Sequence, residues 1–144
     1  MSYSVDANIL VHASNERSPH QAAAAEFISA RAADRDLFCL SWATVHAYLR
    51  ICTHPGIFER PLAPSKAAAN IEQLLELPRV RLIAEGDDHW RALREASEGL
   101  QLKGNLVPDA ALAAVLMQHG VTTLYTADRD FRRFGFLKVV NPLG

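Results

Sequence analysis

The sequence predicts an α/β protein built on a parallel sheet. Short apolar, β-branched segments alternate along the whole chain with longer helical patterns, so that successive strands run the same way and helices cover both faces. Acidic residues recur just past the ends of those short segments. That edge, outside the carboxyl ends of the strands, is where ligands bind in open parallel α/β sheets. With 144 residues the chain suits a single domain, residues 1–144, long enough to bury a real core.

Each element has a local reason. Tyr3–Val5 is a short strand, Asp6 and Asn8 fall where it ends, and Ile9, Leu10 and Val11 carry the chain back into the core. Ser18 and Pro19 open a helix, the hydroxyl as N-cap and the ring in the first turn, which runs through Phe27 to about Ala33. Leu37–Leu40 is a buried strand. Ser41 caps a helix from Trp42 to about Thr53, ended by Pro55-Gly56, with Val45, Leu49 and Cys52 at helical spacing and Tyr48 flanking them. Beyond the Pro61–Pro64 loop, Ser65 caps a helix to Leu77, which Pro78 stops. Val80–Ile83 alternates as a strand. Asp87 and Asp88 start an amphipathic helix carrying Trp90, Leu93 and Ala96, and Lys138–Val140 is the last strand. No repeat, low-complexity segment or internal linker interrupts this order.

The most informative stretch runs from Gly104 to Phe131. Pro108 suits a first helical turn, where its missing N–H is no loss. Asp109 follows, where the positive end of the helix dipole favours a carboxylate. An Ala/Leu-rich run continues to His119, and Gly120 stops it. Val121–Tyr125 reads as a buried strand, with Thr126, Ala127, Asp128, Arg129 and Asp130 leaving its end. If the first strand lies beside this one, Asp6 joins Asp109, Asp128 and Asp130 in one acidic cluster, a site for a hard divalent cation. A helix-terminal charge and an ordinary Asp-rich turn would account for the same residues.

Composition excludes several classes. A net charge of −1 advertises no global nucleic-acid field, although a basic rim around an acidic site would cancel in the sum. Lysine stands only at Lys66, Lys103 and Lys138, so the basic residues are mostly arginine, the better phosphate fork; a GC-rich genome would produce the same bias. Cys39 and Cys52 lie in apolar segments without Cys-x-x-Cys spacing and read as reduced core thiols. His12/His20 and His46/His54 are each eight residues apart, which is no zinc spacing. Glycine-rich phosphate loops and a Gly-x-Ser-x-Gly elbow are absent. Without a charged-then-apolar leader or an apolar run approaching about 18 residues, a soluble cytoplasmic protein with no membrane partner is expected.

An ordered set of motifs then becomes specific: Val5-Asp6-Ala7-Asn8-Ile9-Leu10-Val11, Ser18-Pro19-His20-Gln21-Ala22-Ala23, Tyr48-Leu49-Arg50-Ile51 with Thr53-His54-Pro55, Gly104-Asn105-Leu106-Val107-Pro108-Asp109-Ala110 and Thr126-Ala127-Asp128-Arg129-Asp130-Phe131. Together they resemble PIN-domain ribonucleases of the VapC type, the toxin half of bacterial type II toxin–antitoxin pairs. The resemblance implies a three-layer α/β/α fold with a five-stranded parallel sheet, and an Mg²⁺- or Mn²⁺-dependent endoribonuclease. It implies an RNA substrate, tRNA and rRNA being candidates, a small cognate antitoxin on the active-site side, and a homodimer within that complex. Carried over, Asp6 matches the first acid, Asp109 the third, and Asp128 and Asp130 the pair after the fourth strand. Asp6, Asp109 and Asp128 would be metal ligands, while Asn8 and Thr126 match polar residues that orient the carboxylates or the attacking water.

One departure stands out. The family usually carries a Glu on the helix that here begins at Trp42, yet no carboxylate occurs between Asp36 and Glu59. His46 and Arg50 lie one turn apart on that helix and could bind a phosphate oxygen instead, as could Arg129. Two other readings therefore stay open. One is a PIN-fold RNA- or protein-binding module with weak or no nuclease activity. The other is a HAD-like phosphatase using Asp6 as nucleophile, which Asn8 in place of a second Asp disfavours.

Overall fold

The computed structural model describes residues 1–144. Its elements are β1 (Ser2–Val5), α1 (Ala7–Ser14), α2 (Gln21–Ala30), β2 (Leu37–Ser41), α3 (Trp42–Cys52), α4 (Pro64–Leu75), β3 (Val80–Ile83), α5 (His89–Ala96), α6 (Leu106–Gln118), β4 (Thr123–Tyr125) and β5 (Lys138–Val140). The five strands form one sheet in the order β3-β2-β1-β4-β5, and every pairing is parallel. The expected α/β fold with a five-stranded parallel sheet is the one observed.

Two cores flank the sheet because residues in a strand alternate between faces. Tyr3, Val5, Phe38 and Leu40 point into one core with α1, α2, α3 and α4. Cys39, Ile83 and Leu124 point into the other, with α5, α6 and the segment from Phe131 to Leu137. On this second side α6 buries Ala110, Ala113 and Ala114 completely. Small side chains let a helix axis approach a sheet closely. On the first side the Arg31 guanidinium lies 4.1 Å from the Phe27 ring centre and 5.7 Å from that of Tyr125, and pairs with Asp34 at 3.0 Å.

Local signals located most boundaries. Ser41 caps α3 as expected, its hydroxyl accepting from the Ala43 N–H at 3.2 Å. Gly120 has φ +68°, and the Val121 N–H reaches the Leu116 carbonyl at 2.9 Å, the paired closure that ends α6. Ile9, Leu10 and Val11 carry the chain into the core as expected, on helix α1, which Asp6 caps. Two local readings differ from the structure. Helix α2 begins at Gln21, and the Ser18 hydroxyl instead closes a turn by accepting from the His20 N–H at 3.0 Å. Helix α4 starts at Pro64, which takes the first position and leaves Ser65 inside. Pro108 lies in the first turn of α6 as expected, that helix starting at Leu106, so Asp109 sits at the end of its first turn.

Burial divides the core from the surface sharply enough to test. Leu116→Ala, at a fully buried site, is expected to destabilise the chain by about 2–5 kcal/mol. Trp90→Ala, at a site 66% exposed, should stay within about 0.5 kcal/mol of wild type. Urea unfolding followed by far-UV circular dichroism measures both.

Candidate active site

The chain lays down β1, β2 and β3 in one direction and then returns to place β4 and β5 on the other side of β1. A sheet built this way opens a crevice between β1 and β4, at their carboxyl ends. Asp6 stands at the end of β1, and its N–H still donates to the Tyr125 carbonyl of β4 at 2.9 Å. Its side chain caps α1, Oδ1 accepting from the Ala7 N–H at 2.8 Å. The other oxygen, Oδ2, accepts from the Thr126 hydroxyl at 2.9 Å.

Thr126 is the hub of the arrangement. It follows β4 directly and is 1% exposed. While donating to Asp6, its Oγ1 accepts from Asn8 Nδ2 at 3.1 Å and from the Asp128 N–H at 3.0 Å. One proton and two lone pairs are thus all used. Asn8 also accepts from the Ala127 N–H at 3.4 Å through Oδ1, tying α1 to the loop after β4. Asp128 in turn caps a 3₁₀ turn, Arg129–Arg133, by accepting from the Asp130 N–H at 2.9 Å.

Asp109 arrives from the opposite layer, on the first turn of α6. Burial pushes its carboxyl up to about 6; repulsion from Asp128, Asp6 and Asp130 adds to this, and Arg133 opposes it. The Asp6 carboxyl is also raised, chiefly by burial and further by Asp128, against the hydrogen bonds from Thr126 and Ala7. Asp109 is thus close enough to the three acids at the carboxyl ends of β1 and β4 to feel their charge. Such crowding is relieved by a cation.

The donor set suits a hard divalent ion, being made of carboxylate oxygens. Mg²⁺ ordinarily takes one or two carboxylates and keeps several waters. No three His, Cys, Asp or Glu side chains are grouped to hold one ion between them. The residues therefore fit a cation with two direct carboxylates and a water-completed shell, rather than a closed cage.

The remaining expected residues lie outside this knot. His46 and Arg50 are exposed on α3, and Arg129 is exposed on the 3₁₀ turn. None of them forms an ion pair with the acids. Arg133, which the sequence reading above does not single out, does, at 3.3 Å from Asp130. The available signal was its spacing, since residues three apart meet in a helical turn.

Comparison with known proteins assigns the fold to a family. The model of the PIN domain matches residues 3–137. The chain belongs to the PIN-domain family. Among its relatives, this PIN domain is 38% identical over 142 residues to Ribonuclease VapC48 of Mycobacterium tuberculosis, covering 99% of this chain and 98% of that one. It is 30% identical over 139 residues to the VapC ribonuclease Mb2897 of Mycobacterium bovis, covering 96% and 94%. The fold matches the crystal structure of M. tuberculosis VapC20, a Sarcin-Ricin loop cleaving toxin, with TM-score 0.67 at 19% identity over 96% of this chain and 99% of that one. It matches VapBC2 from Rickettsia felis, bound to a DNA fragment from their promoter, equally well, with TM-score 0.67 at 19% identity over 98% of each chain.

The raised Asp109 carboxyl makes this PIN domain's stability depend on pH. An acid whose folded pKa lies above its ordinary value binds its proton more tightly in the folded state. The associated stability is full below 3.8 and is lost as the pH rises through about 6. In chelator above about pH 7, Asp109→Asn should therefore be more stable than wild type, by on the order of 1 kcal/mol after allowing for solvent screening of a partly exposed group. The gap should close in acid. Urea titrations across the pH range check it, and a wild type more stable than the variant at neutral pH would contradict it.

Proposed function

We propose that the chain is a divalent-metal-dependent endoribonuclease, the toxin of a toxin–antitoxin pair. One observation carries this reading: Asp6, Asp128 and Asp130 stand at the carboxyl ends of β1 and β4 with Asp109 close enough to feel their charge, and Thr126 and Asn8 hold Asp6 and the loop of Asp128 in place. The relatives named as VapC ribonucleases support it along the full chain.

Asp6 and Asp109 would hold Mg²⁺ or Mn²⁺ directly, with Asp128 and Asp130 acting through water or directly. When bound, such an ion supplies Lewis-acid polarisation of a phosphate oxygen and a water of lowered pKa. Thr126 keeps one Asp6 oxygen aimed by donating to it, and Asn8 prevents that hydroxyl from rotating away. Arg129 and Arg50 are candidates to hold phosphates of the RNA. Since α3 carries no carboxylate, the pocket has fewer ligands than a four-acid pocket with a helix Glu, and a second metal position should be weak or lost.

The antitoxin has a seat in this reading. A groove of about 660 Å³ is lined from α1, α2, α3 and α4 by residues including Leu10, Ala25, Ile28, Tyr48, Ile71 and Leu74. An amphipathic helix fits an apolar groove of this kind. An Arg or Lys from the same partner, placed against Asp6, Asp109 and Asp128, would compete with the metal for its ligands.

Asp109→Asn is expected to fold and to lose Mg²⁺-dependent RNA cleavage by roughly a hundred-fold or more, a loss on the scale of removing one directly acting electrostatic group. Calorimetric titration of the wild type should find one Mg²⁺ site rather than two. Cleavage that survives excess chelator, or an active Asp109→Asn protein, would refute the metal-dependent reading. Expression of the chain alone should arrest growth of its host, and co-expression of the antitoxin should restore it.

A further inference from the structure

Helix α3 presents a stripe that the acid cluster does not use. Trp42, His46 and Arg50 recur every four residues, so they lie above one another on one side of the helix, and all three are exposed. The opposite side is committed to the core through Thr44, Val45, Tyr48 and Cys52. Trp42 is 42% exposed, although an indole of this size is ordinarily mostly covered. The His46 ring stands 6.1 Å from it at 33°, close enough to parallel to extend its flat surface. Arg50 takes part in none of the chain's ion pairs, and the segment between Asp36 and Glu59 holds no acid to neutralise it.

Topology starts this stripe at the edge of the sheet where Asp6 stands. Strands β1 and β2 pair with Ser2 opposite Leu37 and Tyr3 opposite Phe38. Carrying the register on along both strands sets Asp6 level with Ser41, one strand spacing of about 4.8 Å away. Trp42 is the next residue, so α3 begins at the edge of the sheet where Asp6 stands.

We propose that Trp42 is a stacking platform for an unpaired base of the RNA substrate, with Arg50 gripping the backbone phosphate further along the helix. This rests on the ribonuclease reading and adds to it the form of RNA taken: a single-stranded or looped segment, whose bases are free to stack. Splayed bases on aromatic faces and arginine on phosphate are the usual means of holding such RNA. A duplex offers no free base to Trp42. Charge decides between RNA and an apolar protein surface as occupant, because the stripe ends in an unpaired guanidinium with no acid near it in sequence.

The test is binding of fluorescein-labelled polyuridylate in chelator, where no cleavage occurs, to the wild type, Trp42→Ala, Trp42→Phe and Arg50→Ala. Trp42→Ala should weaken binding roughly ten-fold or more, and Trp42→Phe should retain most of it, because stacking depends on an aromatic face. The salt dependence should be unchanged in Trp42→Ala and should fall by about 0.7 in log–log slope in Arg50→Ala, the value for one phosphate contact to a single strand. In a Trp90→Phe background, the remaining indole fluorescence should be quenched on binding. Equal binding by all four proteins would overturn the stacking proposal and leave the ribonuclease reading intact. No binding by the wild type in chelator, and none by the Asp109→Asn protein with Mg²⁺ present, would overturn both. Trp42→Ala that sediments as a monomer where the wild type is a dimer would assign the indole to a second copy of the chain, and would also overturn it.

Discussion

Parallel pairing of β1 with β4 sets Ser4 opposite Leu124 and Val5 opposite Tyr125, and the functional half of the molecule hangs on it. The two strands lie more than a hundred residues apart in the chain, so their meeting closes a long loop. Lengthening a loop adds only slowly to the entropy of closing it, and burial of Val5 and Leu124 on opposite faces of the sheet offsets it. Once the strands are paired, the residues just past their ends have nowhere else to go. Asp6 and Thr126 become neighbours, and the remaining polar contacts of the crevice follow from that one.

The crevice also shows how a carboxylate can be held rigidly and still be available. Asp6 uses one oxygen to cap α1 and the other to accept from Thr126. An ionised carboxylate has about four acceptor directions, so each oxygen keeps one for a cation. Thr126 is saturated and buried, which removes the freedom that would let Asp6 turn away. Asp109, lacking such donors, shows the electrostatic consequence of the crowding most clearly. A site of this kind weakens the bare fold slightly and is strengthened by whatever cation occupies it.

Helix α3 divides its surface between two jobs. Its inner side, with Val45, Tyr48 and Cys52, belongs to the core against α1 and α4. Its outer side is aromatic and cationic, without an acid. The absence of a carboxylate from this helix thus leaves the acids of the crevice just after β1, on α6 and in the loop after β4, and leaves α3 itself free of negative charge. These two features are compatible with one polyanionic substrate lying across both.

Much of this was legible in the residues themselves, wherever the cause is local. Strand segments such as Leu37–Ser41 and Val80–Ile83, the Ser41 cap and the Gly120 stop act within one turn of the chain, and a periodic pattern or a single side chain encodes them. The same locality misled at Ser18 and Ser65, because a hydroxyl before an apolar run can close a turn or enter the helix when His20 or Pro64 competes for the boundary. The helical form of α1 was left unassigned, since Ile9, Leu10 and Val11 are a run of apolar residues too short to show a helical period. The acids of the site were recognisable singly and by their place after strands. Their assembly depended on strand order, and so did the start of α3 at the edge of the sheet where Asp6 stands. Parallel neighbours are joined through long crossovers, so no local pattern states which strand ends will meet, and only the packed sheet decides it.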